Sequence, residues 1–105
     1  DDVREQAARV AELGALSLPA LLDWAEEFRG ARGDTAPAVA TLLETAGLVL
    51  RERVTARCAA GERGVGAELD AFRELLACRK TLVQRNANPQ MIAERALLAL
   101  HGALR

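Results

Sequence analysis

Residues 79–100 read RKTLVQRNANPQMIAERALLAL, and the fold class follows from how this stretch breaks and resumes. Asn86-Ala87-Asn88-Pro89 is a sharp stop and restart between two helical patterns. Asn88 is a good N-cap, and Pro89 suits the first helical position, where its missing N–H has no intrahelical partner to lose. Beyond the break, Met91, Ala93, Ala96, Leu97, Leu98, Leu100 and Leu104 spread apolar surface around most of the helix, widened by Ile92, Ala99 and Ala103. A helix apolar nearly all round is buried on more than one side. It is therefore either the central helix of a bundle or a helix shared between a core and a partner chain.

Working back from the break, a fourth helix is expected from about Ala67 to Arg85. Its expected buried face is Leu69, Phe72, Leu75, Leu76, Leu82 and Val83. Residues 61–66, GERGVG, form a linker. A third helix is expected to start at an Asp34 or Thr35 cap, with Pro37 in its first turn, and to reach about Ala60. Its stripe is Val39, Leu42, Leu43, Ala46, Val49, Leu50 and Val54. Gly47 interrupts it at about 1 kcal/mol relative to Ala, which suggests close helix packing there. A second helix runs from a Ser17 cap to about Arg29, with the stripe Leu18, Leu21, Leu22, Ala25 and Phe28. The first covers about Asp2 to Leu13 and stops at Gly14. No stretch has the apolar–polar alternation and β-branched enrichment of a strand. The expectation is one all-α domain, a bundle of about five antiparallel helices with the third longest.

The 105 residues are 50% hydrophobic, 28% charged and 3% aromatic, with a net charge of −1. Ala, Leu and Arg dominate, all strong helix formers. With no basic excess to neutralise phosphates, autonomous nucleic-acid binding is disfavoured. Arg51, Arg53, Arg57 and Arg63 make a local basic spot, but Glu52 and Glu62 interleave with them. They read as a solvated helix end. No apolar run approaches a membrane span and no secretory leader is present, so the expected compartment is the cytoplasm. Cys58 and Cys78 read as small fillers in a reducing environment, with a disulfide or zinc site as the alternative. The chain begins at Asp1 without an initiator Met, which suggests a piece of a longer protein.

The inventory of reactive groups argues against an enzyme. His101 is the single histidine and Ser17 the single serine, so neither a histidine metal cluster nor a Ser–His pair is at hand. GERGVG lacks the Lys-Ser/Thr ending of a P-loop and follows a helix. Glu26 and Glu27 lie on an expected solvent face. No catalytic residue, cofactor or metal is expected. Two charges stand out instead. Glu94 falls within the apolar arc of the fifth helix, and Arg79 lies among the leucines of the fourth. A buried charge needs a partner. Either these two meet across the helix pair, or Arg79 extends to water and Glu94 sits at a rim.

The same stretch, 79–100, resembles the closing helix pair of bacterial clamp-loader subunits of DNA polymerase III, most of all the delta-prime type. The residues that carry the resemblance are Arg79 in the first helix, Asn86, Asn88 and Pro89 at the break, the early Glu94, and the run Leu97, Leu98 and Leu100. Less specifically, Leu21-Leu22-Asp23-Trp24 and the long third helix fit the order of the same domain. The resemblance implies a C-terminal collar domain. Such domains of five subunits pack in a ring, with ATPase-like modules below, and the complex loads the sliding clamp onto primed DNA. It also implies gamma/tau and delta subunits as partners, a stator role without nucleotide hydrolysis, and those eight residues as candidate interface or motif positions. A stand-alone helical interaction or dimerisation module is the alternative.

Overall fold

The computed structural model describes residues 2–84 and 86–105. Its helices are α1 (Asp2–Ala11), α2 (Leu18–Glu26), α3 (Arg32–Ala59), α4 (Gly66–Leu82) and α5 (Pro89–Leu104). A short 3-10 turn, Leu13–Ala15, joins α1 to α2. The fold is all-helical, without a strand among the described residues. The 28 residues of α3 span about 42 Å at helical rise, which accounts for the 45 Å long axis of the molecule.

The chain direction of neighbouring helices can be read from their side-chain pairs. Glu74 meets Arg95, and Cys78 lies against Ile92, so α4 and α5 run antiparallel. Glu44 faces Arg79 while Arg53 and Arg57 face Glu68, so α3 and α4 do too. The fifth helix packs against α4, α3, α2 and the 3-10 turn. It buries Ile92, Ala93, Ala96, Leu97, Leu100, Ala103 and Leu104. α5 is thus central to the bundle, while Met91 and Leu98 on its remaining face stay exposed.

The caps at Ser17 and Asn88 form as expected. Ser17 Oγ accepts the Ala20 N–H at 3.3 Å. Asn88 Oδ1 accepts the Met91 N–H at 3.3 Å, with Pro89 opening the helix. An Asn88→Ala substitution is expected to cost about 1 kcal/mol, read as a lowered midpoint in urea. Unchanged stability would show that this oxygen contributes nothing. The third helix ends in a Schellman turn. Glu62 N–H donates to Arg57 O (2.9 Å) and Gly61 N–H to Cys58 O (3.0 Å), with Gly61 at φ 86°.

The start of α3 differs from expectation. It begins at Arg32, behind Ala31, with no side-chain cap, and Pro37 stands inside the helix, past its first turn. The cause is tertiary. Arg32 donates to Leu82 O at 2.6 Å and to Ala87 O at 3.2 Å. It thus covers a carbonyl at the end of α4, where a cation is also favoured by the helix dipole. Thr35, rather than capping, donates its hydroxyl to Ala31 O at 3.0 Å.

Two buried faces are rotated from those expected. On α2 the inward residues are Leu21, Trp24 and Ala25, with Phe28 buried just beyond the helix, while Leu18 and Leu22 are exposed. The Arg9 guanidinium lies 4.0 Å from the Trp24 ring centroid and bonds Glu27 through both nitrogens. That places a cation over an aromatic face. On α4 the inward residues are Glu68, Ala71, Leu75, Cys78 and Leu82. Leu69, Leu76 and Val83 point outward and Phe72 is half-buried.

Glu68 explains part of this rotation. Its side chain is 1% exposed and accepts a hydrogen bond from Arg57, with Arg53 Nε 3.5 Å from the same oxygen. Arg57 also bonds Glu62 at 2.9 Å. Burial pushes the Glu68 carboxyl up. The hydrogen bond from Arg57 and the nearby arginine charges outweigh that and hold it below the usual range. Of the four arginines expected at a solvated helix end, Arg51 and Arg63 are exposed, whereas Arg53 and Arg57 form an ion-pair clamp between α3 and α4.

The close approach expected at Gly47 occurs instead at Gly14. A Cβ on Gly47 would meet nothing within 4 Å, whereas one on Gly14 would lie 2.7 Å from Arg105 N. Gly14 lets the 3-10 turn rest directly on the backbone at the end of α5.

Candidate protein–protein interface

Several large apolar residues stay exposed, Leu18 and Leu22 on α2, Met91 and Leu98 on α5, and a group along one side of α4. Leu69, Phe72, Leu76 and Val83 recur at three-, four- and seven-residue spacing. They form a second stripe about a third of a turn from the buried one. Leu76 is 66% and Val83 79% exposed. Across from them, Leu48 of α3 is also exposed. Between the two helices lies a groove of about 420 Å³ lined by Leu48, Phe72, Leu76 and Gly47, with Glu44 and Arg79 at its rim. Gly47 opens this groove by offering no side chain.

A second groove, of about 500 Å³, lies on the other flank of α4, against α5. Met91, Leu98 and Ala99 line it together with Glu74, Glu94 and Arg95. Met91 is 67% and Leu98 42% exposed. Glu74 is bonded to Arg95, which holds the α4–α5 pair together at the groove edge. Glu94, half-buried, has no ion pair or hydrogen bond among the described residues.

The eight motif residues therefore separate. Leu97, Leu100 and Pro89 are buried within the domain and serve its own core. Asn86 and Asn88 are exposed at the corner. Arg79 and Glu94 do not meet. Arg79 is exposed, 4.0 Å from Glu44, and Glu94 lies at a groove rim, which is the second of the two arrangements open from sequence. Leu98 and Glu94 share the α4–α5 groove. The outward stripe of α4 escaped the sequence reading because its leucines were assigned to the core.

His101 Nε2–H donates to Leu16 O at 2.9 Å, tying α5 to the turn before α2. No group of three or more His, Cys, Asp or Glu that could hold a metal occurs among the described residues. Among them no helix is long and apolar enough to cross a membrane. Both cysteines are free. Cys78 is a buried filler, but Cys58 is exposed and fills nothing. Burial pushes the Cys78 thiol up, so the two should react very differently. Native protein treated with iodoacetamide is expected to gain one adduct, at Cys58, and a second only on unfolding. Equal labelling of both under native conditions would contradict the burial of Cys78.

Protein-family models, curated proteins and solved structures provide no match to this chain.

Proposed function

We propose that this domain is a non-catalytic assembly module, the collar-type C-terminal domain of a delta-prime-like clamp-loader subunit. The observation that carries the assembly role is the outward stripe Leu69, Phe72, Leu76 and Val83 with Leu48 facing it. Leu48, Phe72 and Leu76 line one groove, and Leu69 and Val83 continue the same helical stripe beyond it. Contiguous apolar surface of this kind marks a place where another protein packs. The clamp-loader assignment is supported by the resemblance of residues 79–100. A subunit in a ring of unlike neighbours presents two different surfaces, and this domain has a groove on each flank of α4.

The test is co-purification of the full-length protein with the gamma/tau and delta subunits. Two variants accompany the parent. Leu76→Glu sits on the exposed stripe, and charge is poorly tolerated at an interface centre. Gly47→Leu fills the groove from a position where a Cβ meets nothing. It should also raise helix stability, since Gly disfavours helix. Both variants are expected to fold and to lose the partner subunits. A parent protein that never co-purifies with clamp-loader subunits defeats the assignment. If it self-associates instead, and these variants abolish that, the domain is a dimerisation module.

A further inference from the structure

We propose that the α4–α5 groove receives a partner helix bearing an arginine or lysine, with Glu94 as its charge anchor. This inference rests on the assembly role above and specifies what one of the two grooves accepts. The argument is one of charge balance. The groove holds three charged side chains, Glu74, Glu94 and Arg95. Arg95 is committed to Glu74, which leaves the carboxylate of Glu94 as the uncancelled charge. Glu94 is half-buried and has neither ion pair nor hydrogen bond among the described residues.

Its surroundings are apolar. Met91 lies one turn before it, Leu98 one turn after, and Ala99 lines the same groove. A purely apolar occupant would strip water from Glu94 and leave the charge unpaired, which is unfavourable. An acidic occupant would add repulsion. A basic side chain with an apolar stem satisfies both requirements. Its methylenes cover Met91 and Leu98 while its cationic head reaches the carboxylate. Arginine fits best, because its planar fork can bond both carboxylate oxygens at once. The groove between two antiparallel helices suits a helical partner segment, which would add apolar contacts at one-turn spacing on either side of the cation.

The other groove provides the internal contrast. Its two rim charges, Glu44 and Arg79, face each other at 4.0 Å, so it carries no comparable uncancelled carboxylate.

The experiment measures binding of the full-length protein to the remaining clamp-loader subunits by surface plasmon resonance at low and high salt. Glu94→Gln keeps the shape and removes the charge. It is expected to weaken binding about tenfold and to flatten its salt dependence. Glu94→Arg is expected to weaken it further, by repulsion. Neither variant should lower the thermal midpoint appreciably, because Glu94 has no partner among the described residues. Leu98→Glu is the companion variant and should abolish binding whatever the role of Glu94, if this groove is an interface. Loss of binding in Leu98→Glu with parental affinity and salt slope in Glu94→Gln overturns the charge anchor alone. Parental binding in both variants removes the groove from the interface. A parent protein that binds none of the subunits overturns the assembly reading, and this inference with it.

Discussion

A Leu97→Glu protein is expected to have no cooperative unfolding transition, whereas Leu98→Glu, one residue further on, keeps one. Leu97 is 1% exposed and lies in the core. Its replacement forfeits about 2–3 kcal/mol of apolar burial. It also places a carboxylate in the buried apolar cluster that holds Ala93, Ala96 and Leu100. An unpaired buried charge costs several kcal/mol more. A domain of this size has only about 5–15 kcal/mol to lose. Leu98 opens onto the α4–α5 groove, so its glutamate stays hydrated. Thermal melts followed by circular dichroism separate the two. A parental melt for Leu97→Glu would mean that α5 presents a different face to the core.

The second large effect concerns Glu68. Glu68→Gln is expected to destabilise the domain by about 2–3 kcal/mol near neutral pH. A fully buried pair broken from one side costs about 3–5 kcal/mol. The lower figure applies because Arg53 and Arg57 remain partly exposed and can reach water. The effect should depend on pH in a defined direction. The Glu68 carboxyl titrates lower in the folded state than in the unfolded chain, where it titrates near about 4.3. Its contribution is therefore complete above that value and is lost as pH falls through the folded one. Urea melts of parent and variant should differ by a constant amount above about pH 5 and converge in acid. A gap that persists unchanged at pH 2 would assign the loss to packing rather than charge.

The features legible from sequence are those fixed locally. Ser17 and Asn88 cap where they stand because an N-cap needs only the next three residues. The apolar breadth of α5 foretold a helix covered on several sides, and it is. The buried face of α4 was not legible by hydrophobicity alone, which ranks Leu69, Leu76 and Val83 above Ala71 and Cys78. Helix packing reverses that ranking, because small residues let α4 lie close to α5, as Cys78 does against the Ile92 carbonyl. Glu68 adds a charge that no hydrophobic stripe would include. The only signal for it is the spacing of Arg53 and Arg57, four residues apart on one face of α3. The bonds of Arg32 to Leu82 and Ala87 join residues fifty or more positions apart, and no local pattern announces them. The same reversal hid the candidate interface, since side chains credited to the core were the ones left outside it.

The central position of α5 has a consequence for how the chain acquires its structure during synthesis. Translation releases residues from the amino end at about 5–20 per second. Some 4–16 s, on the order of that rate, therefore separate the completion of α2 from the completion of α5. Until α5 is complete, the surfaces of α2, the 3-10 turn and, once made, α3 that it covers stay open. The pairings of α1 with α3 and of α3 with α4 can form as those helices emerge, but the core stays open. It closes when the final helix arrives, and Gly14 is the point where the early chain has kept room for it. Until then the nascent protein exposes the same leucines that later form its core, and shielding them falls to whatever else meets the chain at the ribosome.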